Sequence, residues 1–285
     1  MFDTFKNRLE ITGTLVTVTA LRVSAGRSTE PIGTDLPVIK DAFGRPLIPG
    51  SSFKGALRSR LESFLRGILG SDRKLVANPA IEEEWSIDKH EIKQFKELYQ
   101  NDQELTNIIL ENTDLASHLF GSPWLASKFQ VRDLTVLPDK WFGQYQERDG
   151  VAIDRDTETA ANGKLYDFQV VPAATPFEFK AIVENAKPWE LGLLMIGLHQ
   201  FETEQIPLGG GRSRGLGVVR LAVEQLRWFD AEGNPDKLIE YLRNLVAEDS
   251  TAYVDAKKEN LKDVWIQALI EHLRLKVSDR ATASV

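Results

Sequence analysis

Residues 48–68 read IPGSSFKGALRSRLESFLRGI, and this stretch frames the fold. Pro49 and Gly50 interrupt the chain, and Ser51 or Ser52 stands where a helix N-cap belongs. Phe53, Leu57, Leu61, Leu65 and Ile68 then recur at helical spacing, which predicts one buried face. Upstream, residues 9–23 (LEITGTLVTVTALRV) put Leu9, Ile11, Leu15, Leu21 and Val23 on one parity, the pattern of a long strand with one covered face. A loop rich in Gly, Pro and Asp, residues 24–49, joins the two. Downstream, residues 129–137 (FQVRDLTVL), 177–183 and 218–228 read as three more strands. An apolar helix, residues 189–201, and a glycine-rich loop, 208–217, precede the last of them. The order β, α, β, β, α, β predicts an α+β chain with a ferredoxin-like core.

Three additions surround this core. Residues 70–117 read as an acidic insertion with one or two surface helices. Residues 151–171 (VAIDRDTETAANGKLYDFQVV) read as two short strands around a turn at Asn162-Gly163, a protruding hairpin within a thumb of about 143–170. Residues 230–285 form a helical C-terminal tail, with amphipathic stretches LIEYLRNL and VWIQALIEHLRLK. We read one domain over 1–285, its core about 8–69 and 118–229.

Composition excludes several classes. The 285 residues contain no cysteine, which removes disulfides, cysteine zinc sites and thiol catalysis together. No apolar run is long enough to span a bilayer, and the start carries no signal-peptide pattern, so a cytoplasmic protein without a membrane partner is expected. The net charge of −7 disguises local asymmetry. Residues 22–60 hold seven basic groups against three acids, and 205–227 hold four against one. Residues 71–117 hold five against eleven. Phosphate binding needs a local positive surface rather than a basic average.

Three segments carry candidate chemistry. In the helix start, the N–H groups and hydroxyls of Ser51 and Ser52 suit an anion. Lys54 and Arg58 stand at i and i+4, a like-charge pair that a phosphate would relieve; an acidic neighbour from elsewhere in the fold would do the same. The spacing Gly50 to Gly55 mimics a P-loop, but Ala56 and Leu57 occupy the places of its Lys and Ser/Thr, so that reading fails. In LGGGRSRGLG, residues 208–217, Gly210 and Gly211 allow close backbone approach, and Arg212 and Arg214 supply forked donors for phosphate. A flexible linker is the plain alternative. The GxSxG match at 211–215 follows a helix and precedes a strand, the reverse of a nucleophile elbow, and His272 downstream reads as a surface histidine. In SAGRSTEPIGTDLPVIKD, residues 24–41, Asp35 lies between Arg27 and Lys40, where a carboxylate could serve as general base or metal anchor beside a phosphodiester. Ordinary turn chemistry of Asp before Xaa-Pro explains it equally. Asp154, Asp156 and Glu158 alternate on one side of a strand and read as a solvated surface; no metal ligands are assigned.

The run IGTDLPVIKDAFGRPLIPGSSFKGALRSRL, residues 32–61, resembles the RAMP superfamily, and within it the repeated backbone subunits of type III CRISPR-Cas effectors. HLFGS at 118–122, the hairpin phrase 151–179 and GGGRSRGLG at 209–217 agree, so the resemblance covers roughly residues 8–226. It implies an RRM-like core stacked along a CRISPR RNA. Arg27, Lys40, Ser51, Ser52, Lys54, Arg58, Gly210, Gly211, Arg212 and Arg214 would grip the guide, and the hairpin would act as a thumb between guide and target. It further implies cleavage of guide-paired target RNA through Asp35, by the match of Asp35-Leu-Pro37-Val-Ile, with a divalent cation (Mg or Mn) as an open cofactor. The implied partners are CRISPR RNA, complementary target RNA, further copies of the chain or related RAMP subunits, and other effector subunits. A non-cutting scaffold, or a RAMP-type endonuclease processing precursor CRISPR RNA, are the alternatives.

Overall fold

The computed structural model describes residues 4–24, 26, 34–153, 160–247 and 249–283. The chain opens with strand β1 (Asn7–Thr17), then the short β2 (Leu47–Ile48) and helix α1 (Gly50–Leu69). Helices α2 (Lys89–Leu98), α3 (Asp102–Asn112) and α4 (Leu115–Phe120) follow, then strands β3 (Phe129–Val131) and β4 (Leu134–Thr135). The hairpin strands β5 (Gln146–Ile153) and β6 (Ala160–Val170) lead to β7 (Pro176–Glu184), α5 (Pro188–Glu202) and β8 (Val219–Asp230). Helix α6 (Pro235–Val246), β9 (Val254–Asp255) and α7 (Leu261–Ala283) complete it.

The central sheet has the order β3-β7-β1-β8-β9 and is antiparallel throughout. Its register puts Leu9 beside Val183 and Trp228, and Leu15 beside Phe177 and Leu221, so the apolar parity of β1 joins those of its neighbours. Helices α1 and α5 cover that face. Phe53 of α1 stacks on Phe201 of α5, ring centroids 4.4 Å apart, and meets Phe179 of the sheet at 4.9 Å. Truncating a fully buried phenylalanine of this kind costs about 3–5 kcal/mol.

Several boundaries differ from the sequence reading, each for a physical reason. The long first strand ends at Thr17, because the Val18 and Thr19 N–H groups both turn to the Val218 carbonyl. Leu21 then pairs with Val171 instead. The second strand breaks at Arg132-Asp133: β3 pairs with β7, whereas β4 changes partner to β2. Helix α1 begins at Gly50 with Pro49 at its N-cap, so neither Ser51 nor Ser52 caps it. Its buried stripe ends on Leu69 at 1% exposure, one i+4 step beyond Leu65, while Ile68 points outward. Asn162-Gly163 lies inside β6, and the connection between the hairpin strands falls on 154–159. Those residues, with Asp154, Asp156 and Glu158, lie outside the described ones, as does Arg27.

Between α1 and β3, α2 opens with a capping box in which Asp88 and Glu91 each take the other's N–H. Burial opposes the charge of Glu91, but hydrogen bonds from Arg73, Lys74 and the Asp88 N–H hold its carboxyl down to about 2. The C-terminal segment is more than a surface tail. Helix α5 is apolar on nearly all sides and needs cover opposite the sheet, which α7 provides through Trp265, Leu269 and Leu273. His272, expected at the surface, stacks on Trp189 with centroids 4.4 Å apart.

Candidate functional site

Four segments that are distant in sequence meet along one edge of the molecule through a ladder of backbone hydrogen bonds. Within the glycine loop the Leu208 N–H donates to the Gly217 carbonyl. The loop is tied to residues 20–22 by Gly217 N–H to Ala20 O at 2.9 Å and Gly210 N–H to Arg22 O at 2.8 Å. That segment continues to the next, since Ile39 N–H donates to Val23 O and Ser24 bridges Val38. Leu47 N–H donates to Ile39 O, and β2 then pairs with β4 ahead of α1. On the other flank Leu36 bridges Phe168 and Leu21 bridges Val171, which ties in the foot of the hairpin. Ala20, Phe168, Val170 and Leu216 form a small buried cluster under this junction, with Leu36 and Tyr166 packed against it.

Two glycines make the junction possible. Gly209 and Gly217 have φ of +73° and +84°, in the left-handed region. A Cβ on the first would overlap the Arg22 carbonyl, and on the second the Leu208 carbonyl. Between them, Gly211 and Gly215 flank a single 3-10 turn that carries Arg212 and Arg214, both exposed. The Arg214 guanidinium donates to the Tyr166 hydroxyl at 3.3 Å, and the Arg22 guanidinium lies 4.6 Å from the Phe168 ring centre. The loop's cations thus stand beside the hairpin foot.

Asp35 lies on the same junction, half-buried. Its N–H donates to Asp167 Oδ1 at 2.7 Å, and its own Oδ2 faces the Asp167 N–H at 3.4 Å. Next to it the Thr34 hydroxyl donates to Glu147. Two carboxylates, Asp35 and Asp167, therefore meet at the hairpin foot, with Asp149 opposite Asp167 across the strand pair. Among the described residues no cluster of three or more acids, histidines or cysteines is placed to hold a metal ion. Lys40 stands further along, its ammonium 4.5 Å from the Tyr145 ring centre.

The start of α1 is more self-sufficient than its sequence implies. The Gly50 N–H donates to the Asp133 carboxylate at 2.8 Å, and the Ser52 and Phe53 N–H groups both reach the Pro49 carbonyl. Arg58 donates to Glu62, to the Gly121 carbonyl and to the Ser117 hydroxyl, so an acid within the fold matches its charge. Lys54 differs. Its ammonium donates to Ser127 Oγ and the Phe129 carbonyl but has no acid partner among the described residues. Burial and then the charge of Arg58 hold its pKa below the ordinary lysine value. A half-buried cation in that state gains from any anion brought against it. Ser51 is exposed beside it.

The HLFGS segment is structural. His118 is buried against Trp189, and the adjacent Lys128–Glu190 pair is closed by two 2.6 Å hydrogen bonds. Burial, then Lys128 and Lys187, depress the His118 pKa to about 3. The uncovered face of the sheet is laced with ion pairs, Arg8 to Glu10 and Glu184, Lys180 to Glu178, and Arg227 to Glu10. It presents Arg8, Glu10, Thr12 and Thr14 on β1 and Glu178, Lys180, Ile182 and Glu184 on β7, while on its β8 side Phe229, opposite Arg8, clusters with Phe5, Tyr241 and Tyr253. Sequence reasoning passed over the aromatics near Lys40. Phe43 and Phe142 are 82% and 61% exposed, and a large apolar ring in a polar loop was the available signal.

Comparison with known proteins identifies a family. Residues 14–220 match the model of the RAMP superfamily. The chain is 26% identical over 223 residues to the CRISPR system Cms endoribonuclease Csm3 of Enterococcus italicus, spanning 77% of this chain and 92% of that protein. Shorter stretches match proteins of the same name. The Methanocaldococcus jannaschii protein is 47% identical over 60 residues, 21% of this chain and 24% of its own. The Mycobacterium tuberculosis protein is 46% identical over 56 residues, 19% and 24% respectively.

Proposed function

This chain belongs to the RAMP superfamily, and from that membership we propose that it is a Csm3-like backbone subunit of a type III CRISPR-Cas effector that grips the guide RNA and cuts the paired target. The observation that carries the reading is the ladder joining the glycine loop, the Asp35 loop and the hairpin foot into one edge. Arg212 and Arg214, with Lys54, Ser51 and Ser52, serve as phosphate contacts, and Gly210 and Gly211 let the RNA backbone approach. Lys40 extends the basic border, Arg27 is kept as a guide contact on its place in the sequence alone, and Arg58 gives most of its donors to the fold. Such contacts fix register without reading sequence, which pairing with the guide supplies.

The strand order β3-β7-β1-β8, with α1 and α5 as the crossovers, supports a ferredoxin-like core for this single domain. Residues 70–117 serve as an insertion on it and β5–β6 as the thumb. The partners in this reading are CRISPR RNA, complementary target RNA, further copies of the chain and the other effector subunits, in the cytoplasm. A histidine-dependent processing enzyme fits less well, because the first histidine is His90 and His118 is buried and held neutral.

Asp35 is the cutting residue in this reading, acting as base toward a target 2′-hydroxyl at the hairpin foot. Asp35→Asn keeps the shape and removes the charge. Assembled into the whole complex, it should cut target at least about a hundredfold more slowly, the lower end of what a positioned general base contributes. Guide content and target affinity should hold. Parallel assays in chelator separate a base from a Mg or Mn anchor, since only the anchor needs the ion. Cutting at the wild-type rate by Asp35→Asn makes the chain a scaffold or puts its catalytic residue elsewhere, with Asp41 the next to test.

A further inference from the structure

We infer that the loop after Asp35 carries a second RNA contact, an aromatic and cationic platform that stacks on an unpaired base. The platform consists of Phe43, Trp141, Phe142 and Tyr145 with Lys40 and Arg45. Phe43 crowns a tight turn that its neighbours hold rigid. Asp41 Oδ1 accepts from both the Phe43 and the Arg45 N–H, the Asp41 N–H donates to the Arg45 carbonyl, and the Gly44 N–H to the Asp41 carbonyl. Arg45 adds a 2.8 Å ion pair to Asp41 and lies 4.9 Å from the Phe43 ring centre. The Tyr145 hydroxyl donates to the Gly44 carbonyl at 2.7 Å, locking the turn to the chain entering the hairpin. Trp141 then touches both Tyr145, at 5.1 Å, and Phe142, at 5.3 Å.

Trp141 and Tyr145 are half-buried and pack on the core, and they anchor two rings, Phe43 and Phe142, that are left in solvent. Phe43 is 82% exposed, with the Arg45 guanidinium 4.9 Å from its ring centre. The groups over the rings are Lys40 and Arg45, and Lys140 stands exposed beside Trp141, so an approaching ligand meets aromatic faces bordered by positive charge. That combination suits a nucleobase with its phosphate, because every base offers a π-face and stacking tolerates any sequence. Protein interfaces are depleted of lysine, so Lys40 and Lys140 favour a nucleic acid over a protein partner. The position agrees. Lys40 lies four residues beyond Leu36, about 13 Å along an extended chain from the Asp35 junction, on the same ladder. The inference rests on the proposal that this edge handles RNA, and it adds the class of contact: stacking on a base, where the glycine loop offers only phosphate contacts.

The test uses the full chain and fluorescent single-stranded oligoribonucleotides, in three forms: wild type, Phe43→Ala with Phe142→Ala, and Arg212→Ala with Arg214→Ala. Both phenylalanines are exposed, so the thermal midpoint of the aromatic variant should match the wild type. Its RNA affinity should fall by about 5- to 150-fold per lost stack, with an unchanged salt slope because no phosphate contact is removed. An oligonucleotide carrying abasic sites should bind the aromatic variant and the wild type alike. If the wild type binds no RNA, the proposed function fails first. If it binds and the aromatic variant binds equally well, the platform is refuted while the function stands. Loss of self-association with unchanged RNA binding also refutes it and makes the patch a contact between copies of the chain.

Discussion

Alanine placed at three glycines of one loop separates the role of each. At Gly209 and Gly217 the backbone sits at φ of +73° and +84°, where an L-residue costs roughly 1–2 kcal/mol. The new Cβ also overlaps a carbonyl oxygen that is part of the ladder, Arg22 O or Leu208 O, and such overpacking costs about 1–3 kcal/mol more. Each substitution should therefore destabilise the chain by about 2–5 kcal/mol. With an unfolding entropy of about 2.1 cal/mol/K per residue, roughly 0.6 kcal/mol/K for 285 residues, the melting point falls by about 3–8 °C. Gly210 is the internal control. It has open space where a Cβ would go and no left-handed φ, so Gly210→Ala should be neutral or stabilise by about 0.4–1 kcal/mol. If RNA fills that space, the same methyl should weaken binding at least about fivefold in a folded protein. Urea titration of the three variants, followed by single-stranded RNA binding for Gly210→Ala, provides the measurements. Wild-type stability in Gly209→Ala and Gly217→Ala would refute the path of the loop. Early unfolding of Gly210→Ala would refute the claim that its outer side is free.

Other expectations concern charge and capping. Arg212→Ala with Arg214→Ala should flatten the slope of log K against log salt by about 0.7 per arginine for any RNA sequence; an unchanged slope removes both from the phosphate grip. Asp133→Ala removes the acceptor of the Gly50 N–H and should cost about 0.5–2 kcal/mol, read as a shifted urea midpoint. His118 is kept neutral by the fold, so its contribution is complete above its unfolded value near 6.5 and is lost as pH falls toward 3. By pH 5 that loss is about 2 kcal/mol, about 1.5 pH units at 1.36 kcal/mol each, and His118→Gln should lack that slope relative to wild type. Glu91 cannot be its source, since a carboxyl held at about 2 loses stability only below about 4.5.

The order of core elements and their buried faces were legible in the sequence because each rests on neighbours a few residues apart. Leu9, Ile11 and Leu15 on one parity, Phe53 to Leu65 at helical spacing, and five glycines within residues 209–217 all carried their meaning locally. Residues 189–201 read from the sequence as an apolar helix, but that α7 covers it opposite the sheet did not show until α7 was seen packed there. What the tertiary structure alone decided depends on contacts across long stretches of chain. Asp133 caps a helix 83 positions earlier, and the glycine loop closes on Arg22. Arg58, which by its spacing wanted a counter-charge, found Glu62 one turn along its own helix together with Ser117 and the Gly121 carbonyl from α4 and its cap. Asp35 met Asp167, 132 positions away, because the sheet register, set by which faces are buried, determines where the hairpin foot lands.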